Sequence, residues 1–171
     1  DTGAIILQDE IAVTDKDTVG TLHDKLMTLG STLVLKTVDC IQQGPVNTMV
    51  QPKIESVKTA YKLNKDNCKI DWTVDLDSVY NKIRGLNPFP AAWCVLNNDK
   101  ETLSIKIFGI TKEVLPHDLE AGTIKVLKHE LSVAVKGGFI HIKEMQLPGK
   151  RKMEVKSLLN GYEFHKNAKM L

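Results

Sequence analysis

The spacing of apolar residues changes along this 171-residue chain, and the change falls at Pro90. Before Pro90 apolar residues recur every three or four positions, which is typical of helices. After it they alternate with polar residues, as in TLSIKI of residues 102–107, which is typical of strands. Five or so short alternating segments follow, joined by turns such as Gly137-Gly138, with little helix between them. This succession predicts a small antiparallel β-barrel.

Residues 1–44 carry the pattern of one strand followed by one long helix. Residues 4–13 combine an apolar run with partial alternation, which predicts a strand. Leucines at helical spacing predict a helix over residues 18–43, capped by Asp17 or Thr18. Because a lone strand cannot pair its own edges, this βα unit needs more sheet or another partner. We therefore expect the helix to pack against the barrel, to mediate self-association with a second copy of the chain, or to be poorly ordered.

Residues 45–60 lack periodicity and contain two prolines, which predicts a linker. Beyond it, Asp75 can cap a short helix that ends at Asn87-Pro88-Phe89-Pro90, since a residue before proline avoids helical geometry. The predicted fold class is therefore α+β. It consists of a βα segment in residues 1–44, the linker, and an antiparallel barrel domain in residues 61–171.

The composition is that of an ordinary globular protein, with 42% hydrophobic and 26% charged residues. Residues 1–60 carry 5 Lys/Arg and 8 Asp/Glu, whereas residues 61–171 carry 18 and 13. A modestly basic second part is compatible with a phosphate-rich partner, although a solvated surface explains the same charge. No apolar run approaches the ~20 residues that span a bilayer, so we expect no membrane partner.

The cysteines Cys40, Cys68 and Cys94 are widely spaced and form no C-x-x-C pair. This pattern indicates reduced thiols and a cytoplasmic location. The five histidines show neither H-x-x-x-H nor H-E-x-x-H spacing, so we expect no metal site.

The chain opens with Asp-Thr-Gly, the active-site triplet of aspartic proteases. Such a protease needs two carboxylates about 3 Å apart that share one proton. No second Asp-Thr-Gly or Asp-Ser-Gly occurs, and a long helix follows the first triplet after one strand. The sequence therefore disfavours a protease and leaves Asp1 as either a surface residue or a carboxylate of another enzyme.

Five separated segments together resemble one family. They are DTG, DTVGTLHDKLMTLGSTLVLKTV, KIDW, IRGLNPFPAAW and LPGKRKMEVKSLLNGY, and they follow the order expected for methionyl-tRNA formyltransferases. The resemblance extends from residue 1 to about residue 162. It implies that the chain is the C-terminal part of such an enzyme. Residues 1–44 would end a Rossmann-like catalytic domain, and residues 61–171 would form an OB-like barrel that contacts tRNA.

The resemblance also implies a reaction. Members of this family transfer a formyl group from 10-formyltetrahydrofolate to the amino group of initiator Met-tRNA, using an Asn, a His and the Asp of D-T-G. Only Asp1 has a counterpart in this sequence, where a carboxylate can orient the His and handle a proton. We therefore expect the isolated chain to be inactive and to bind no folate donor.

Two alternatives stay open. The first is a related formyltransferase that acts on a sugar-nucleotide amine, although PGKRKM and LLNG favour the tRNA enzyme. The second is a non-catalytic RNA-binding module.

Candidate RNA contacts follow from the distribution of basic residues. The densest cluster is Lys150-Arg151-Lys152 after a Pro-Gly turn, and Lys82 and Arg84 lie on the short helix before the prolines. Such residues bind phosphates largely independently of base sequence, but ordinary solubilising charges are an equal alternative. Trp72 and Trp93 could offer stacking surfaces, although we expect at least Trp93 to be a core residue.

Overall fold

The computed structural model describes residues 2–52, 56 and 58–171, and the chain divides into two compact units, residues 1–62 and 63–171. The first unit is built on helix α1, Val19–Gln42. Thr18 caps this helix: its hydroxyl accepts from the Thr21 backbone N–H at 3.2 Å, and its N–H donates to the Thr21 hydroxyl at 2.9 Å. The predicted helix is confirmed, with Thr18 rather than Asp17 as its cap.

Asp17 supports the start of α1 in another way. Its carboxylate accepts hydrogen bonds from the Lys25 ammonium at 2.6 Å and from the Thr14 hydroxyl and N–H at 2.8 Å each. These donors, Lys25 first, hold the pKa of Asp17 well below its usual range.

None of the residues of α1 is buried. Leu22, Leu29 and Leu33 are half-buried. The other large apolar side chains are between 39% and 68% exposed: Val19, Leu26, Met27, Val34, Leu35, Val38 and Ile41. Capping and backbone hydrogen bonds therefore define this helix without burial of its side chains.

The strand predicted for residues 4–13 appears only as one antiparallel bridge. Ile5 and Met49 exchange two backbone hydrogen bonds of 2.8 Å. Within residues 2–52, no other part of residues 4–13 belongs to a ladder. A strand needs a continuous row of backbone partners, and the described part of this unit holds no second strand to supply one.

Residues 63–171 form the second unit, which we term the β domain. It contains two helices and nine strands. In chain order they are α2 Leu76–Leu86, β1 Ala92–Asn98, β2 Glu101–Ile107, β3 Ile110–Val114, β4 Ile124–Leu127, β5 Glu130–Val135, β6 Gly138–Ile142, β7 Glu144–Gln146, β8 Met153–Glu154, α3 Val155–Leu158 and β9 Lys169–Met170.

The nine strands form two antiparallel sheets, with the orders β8-β7-β2-β1-β9 and β3-β6-β5-β4. At one seam between the sheets, the Phe108 N–H donates to the Glu144 carbonyl at 3.0 Å and the Lys143 N–H donates to the Gly109 carbonyl at 2.7 Å. At the other seam, β9 pairs with β1 and also bridges to Thr123, the residue before β4. The α+β class with antiparallel sheets is therefore confirmed.

Helix α2 and both sheets contribute to one cluster of buried residues. The four buried positions of α2 recur at helical spacing: Leu76, Val79, Ile83 and Leu86. Asp75 caps the helix by accepting from the Ser78 N–H at 2.9 Å. The short helix predicted before the prolines is confirmed, and its apolar face anchors it to the β domain.

The structure holds more strands than the five or so expected. The alternating segment TLSIKI lies in β2, and a separate strand, β3, begins directly after Phe108-Gly109, where the first seam forms. Strands β7, β8 and β9 are only two or three residues long, which is too short for alternation to be visible in the sequence.

Gly122 permits the close approach at the second seam. A Cβ atom at this position would lie 2.1 Å from the Met170 carbonyl oxygen, and φ is +82°. Only glycine combines this backbone conformation with such contact.

Candidate nucleic-acid interface

Asp1, the predicted catalytic carboxylate, lies outside the described residues. The described residues therefore supply only the basic candidates and the tryptophans. No group of three or more His, Cys, Asp or Glu side chains that could hold a metal ion occurs among residues 2–52, 56 and 58–171.

The basic cluster Lys150-Arg151-Lys152 lies on the connection between β7 and β8. Two hydrogen bonds shape this turn: the Lys150 N–H donates to the Leu147 carbonyl at 3.1 Å, and the Gln146 side-chain amide donates to the Lys150 carbonyl at 2.8 Å. Gly149 adopts φ +68° at its apex. All three basic side chains are exposed, so a fixed backbone presents three cations to solvent.

Lys152 has two partners that fix its position. Its ammonium pairs with the Glu144 carboxylate at 3.2 Å and lies 5.4 Å from the centre of the Phe108 ring. The ion pair is largely exposed, so it contributes little to stability. Its effect is to orient the ammonium at the edge of the turn.

Lys82 and Arg84 occupy a different environment on α2. The Lys82 ammonium donates to the Asn67 carbonyl, the Arg84 Nε donates to the Asn81 side-chain oxygen at 2.8 Å, and the guanidinium lies 6.0 Å from the Tyr80 ring. Both side chains are half-buried. They are held by local contacts more tightly than the cations of the turn.

Phe108 connects the end of α2 to the basic turn. The Asn87 side-chain amide donates to the Phe108 carbonyl at 3.4 Å, while Lys152 stands over the Phe108 ring. Arg84 is three residues before Asn87 and accepts its backbone N–H. Through Phe108 the C-terminal end of α2 is therefore linked to the basic turn, although among the basic candidates only Lys152 lies near the Phe108 ring.

Trp93 differs from its prediction as a core residue. It is half-buried and packs against the core, whereas Trp72 is 3% exposed and belongs to the core. The Trp93 indole N–H donates to the Lys65 carbonyl at 2.6 Å. The reason is its position at the start of β1, where one side of its ring meets the loop of residues 63–69 instead of another sheet.

A concave pocket of about 440 Å³ lies beside Trp93. Its lining is apolar except for Asn64, Lys65 and Lys106, and it contains no carboxylate. The ammonium groups of Lys65 and Lys69 lie 5.2 and 5.8 Å from the Trp93 ring centre. The sequence analysis did not identify Lys65, Lys69 or Lys106 as site residues. For Lys106 a signal existed: in a hairpin that turns at Asn97–Asp99, Lys106 pairs with Trp93, as the observed register shows.

Three side chains on the four-stranded sheet have the order of a nucleophilic triad. The Ser132 hydroxyl lies 2.9 Å from His141 Nδ1, and His141 Nε2 lies 2.9 Å from the Glu113 carboxylate. Strands β5 and β6 each have a partner on both sides, so their backbone N–H groups are taken by the ladders and cannot stabilise an oxyanion. The trio is therefore a hydrogen-bonded surface chain of the sheet.

The buried thiol of Cys94 is equally unsuited to nucleophilic chemistry. Burial raises the pKa of Cys94 to about 12, and the thiolate is the reactive form. The chemistry that the described surface supports is thus binding through cations and aromatic rings.

Fold and surface together define a small α+β protein whose β domain carries exposed basic side chains and an aromatic pocket rimmed by lysines. Residues 62–163 match the family described as "Formyl transferase, C-terminal domain". The chain belongs to this family. Methionyl-tRNA formyltransferase from Flavobacterium johnsoniae is 50% identical over 170 residues, which cover 99% of this chain and 54% of that protein. The resemblance seen in the sequence is confirmed, and the chain spans about half the length of the curated relatives it matches.

Solved structures show the same fold. A variant of HypX from Aquifex aeolicus superposes with a TM-score of 0.65 at 16% identity, over 94% of this chain and 29% of that chain. HypX in complex with tetrahydrofolic acid gives a TM-score of 0.50 at 15% identity, over 74% and 22%. No helix in the described ranges is long and apolar enough to cross a membrane.

Proposed function

We propose that this chain is the C-terminal part of a methionyl-tRNA formyltransferase, which transfers a formyl group from 10-formyltetrahydrofolate to the amino group of initiator Met-tRNA in the cytoplasm. The observation that carries the proposal is 50% identity to a protein of that name over 99% of this chain. The tetrahydrofolic acid bound by HypX supports a folate donor. Residues 1–44 end the catalytic domain, residues 45–60 link it to the barrel, and residues 61–171 contact tRNA.

The tRNA contact is assigned to Lys82, Arg84, Lys150, Arg151 and Lys152. The exposed turn of residues 150–152 presents three cations on a hydrogen-bonded backbone. Cations so placed bind the phosphate backbone and make affinity fall with salt. Lys82 and Arg84 extend the grip along α2 toward Phe108, although their existing hydrogen bonds must weaken for them to bind phosphate fully.

The tRNA contact is tested by measuring the dissociation constant of initiator tRNA at two salt concentrations. Replacing Lys150, Arg151 and Lys152 together with Ala should weaken binding about 10- to 100-fold and reduce the salt slope by about 3. The control removes the same charge from three other exposed lysines: Lys36, Lys100 and Lys166. Equal losses in both triple variants would mean that net charge, and not the turn, holds the tRNA.

Asp1 is assigned as the chain's contribution to catalysis. Its carboxylate would orient the family's His and accept a proton from the attacking amine. A chimaera that joins the N-terminal half of the Flavobacterium johnsoniae relative to this chain allows a test. Asp1→Asn should lower kcat about 10²- to 10⁴-fold with unchanged tRNA affinity, whereas Asp9→Asn, at an exposed carboxylate, should change neither. A chimaera that formylates a sugar-nucleotide amine but not Met-tRNA would favour the alternative substrate.

The exposed apolar residues of α1 support the domain assignment. In the full enzyme these residues would pack against the catalytic domain. In the isolated chain they would pack against a second copy of the chain. Sedimentation of the 171-residue chain should therefore show concentration-dependent dimers that Leu35→Lys abolishes. A monomer at all concentrations would remove the self-association.

A further inference from the structure

The pocket beside Trp93 has features that the proposed phosphate grip does not use. None of Lys82, Arg84 or the turn of residues 150–152 lines it. We propose that it binds one unpaired, unstacked nucleotide of RNA, with the base against Phe89 and Trp93. This inference rests on the proposed tRNA contact and adds a second, base-contacting subsite to it.

The shape of the pocket fits one flat aromatic group. Its volume of about 440 Å³ lies in the lower part of the range of small-ligand pockets, roughly 300–1,000 Å³. Its apolar lining includes two aromatic rings, Phe89 and Trp93, together with Leu63, Cys68, Pro90 and Ala91. An apolar pocket lined by two aromatic rings suits a nucleobase, because every base has a face that stacks on an aromatic side chain.

Phe89 provides the stacking surface that is open to a ligand. It is 82% exposed, the largest exposed fraction of any aromatic side chain among the described hydrophobic residues. An isolated exposed apolar residue needs no explanation. Here, however, the exposed ring borders a concave apolar site, so a base can contact it without any rearrangement of the core.

The charges around the pocket point to an anionic occupant. Lys65 and Lys69 stand near the Trp93 ring, and Lys106 lies opposite Trp93 on β2 with its ammonium 3.4 Å from the Pro90 carbonyl. The charged side chains of the lining itself are Lys65 and Lys106, with no carboxylate among them. An apolar peptide or a lipid tail would gain nothing from three lysines, whereas a nucleotide matches both the rings and the cations.

The test uses a single-stranded RNA of about six nucleotides with one 2-aminopurine, and a duplex RNA of the same length. Stacking on Phe89 should quench 2-aminopurine fluorescence when the single strand binds. Phe89→Ala should weaken single-strand binding about 5- to 100-fold and abolish the quenching, with unchanged duplex affinity and salt slope. Replacing Lys65, Lys69 and Lys106 with Ala should lower the single-strand salt slope by about 2.

The controls match each variant in kind. Leu127→Ala removes a large exposed side chain from the other sheet, and Lys100→Ala removes a lysine from the far end of the β1–β2 hairpin. Both should leave single-strand binding unchanged. Thermal unfolding of each variant shows that the fold is kept, and the milder Trp93→Phe checks the second ring.

The possible failures are distinguishable. If the unaltered chain binds neither RNA nor tRNA, both the tRNA contact and this subsite are wrong. If tRNA binding depends on Lys150, Arg151 and Lys152 but Phe89→Ala has no effect, the grip stands and the subsite is wrong. Equal loss of single-strand and duplex binding in Phe89→Ala would also overturn the subsite.

Discussion

Helices α1 and α2 have similar N-terminal caps but differ in how many of their side chains are buried. Each begins at a side chain that accepts a backbone N–H, Thr18 in α1 and Asp75 in α2. The 24 residues of α1 bury none of their side chains, whereas the 11 residues of α2 bury four. Local hydrogen bonds therefore fix where a helix begins, but only a partner surface converts its apolar face into stability.

Thiol reactivity should separate the two regions most strongly. Cys40 is half-buried on α1, whereas Cys94 is fully buried in β1. Because burial raises the pKa of Cys94 to about 12 from an ordinary 9.0, its thiolate fraction at pH 8 falls about a thousandfold. Iodoacetamide followed by mass spectrometry should therefore label Cys40 first, and a Cys40→Ser variant should remove the fast phase. Labelling of Cys94 at the rate of Cys40 in the native chain would contradict the packing of β1.

Deleting an apolar side chain should also affect the two helices unequally. Ile83→Ala creates a cavity under α2 at a side chain with 0% exposure and should cost about 2–5 kcal/mol. Leu35 lies on the exposed face of α1. At protein concentrations below those of the proposed self-association, Leu35→Ala should change the free energy of unfolding by less than about 0.5 kcal/mol. Urea unfolding followed by far-UV circular dichroism, which reports the loss of both helices, measures both. An effect of Leu35→Ala as large as that of Ile83→Ala would show that the chain covers α1.

The cap of α2 should give a smaller effect that depends on pH. The hydroxyl and N–H of Ser78 lower the pKa of Asp75 in the folded state. The stability from this carboxylate is thus complete above its unfolded pKa of about 3.9 and is lost as pH falls through the lower, folded value. Asp75→Asn keeps a capping oxygen but has no carboxylate to protonate. Between pH 7 and about pH 3, the melting temperature of this variant should therefore fall less than that of the unaltered chain.

A control separates the cap from acid denaturation in general. Asp118→Asn removes an exposed carboxylate elsewhere in the β domain and should leave the acid sensitivity of the chain unchanged. If Asp75→Asn and the unaltered chain lose stability in parallel, the charged form of Asp75 does not support the fold.

The sequence predicted those elements whose signals are local. The extents of α1 and α2 followed from apolar spacing, capping residues and prolines, all of which act within a few residues. The missing strand of residues 4–13 and the short strands β7, β8 and β9 could not be predicted in this way, because a strand is defined by its partner. Ile5 finds only Met49, while β9 pairs with β1 although some 70 residues separate them.

The candidate interface likewise has one part that the sequence predicted from local residues and one part that it could not predict. The cluster of residues 150–152 is contiguous, so the sequence revealed it. The pocket beside Trp93 joins a loop, a proline-rich turn and two strands, and no short motif contains it. Trp93 was expected to be a core residue but is half-buried, whereas Trp72 is buried. Burial depends on what packs against a strand, and the spacing of residues in the sequence does not contain that information.

Strand β9 is the last strand of the β domain to be synthesised. It follows every other strand in the chain, yet it closes the seam at Gly122 and places Met170 in the core. Residues 63–165 therefore supply the four-stranded sheet and four strands of the other sheet, but not β9, which joins the two sheets at this seam. That edge of the nascent domain therefore stays open until residues 169–171 have been translated and have left the exit tunnel.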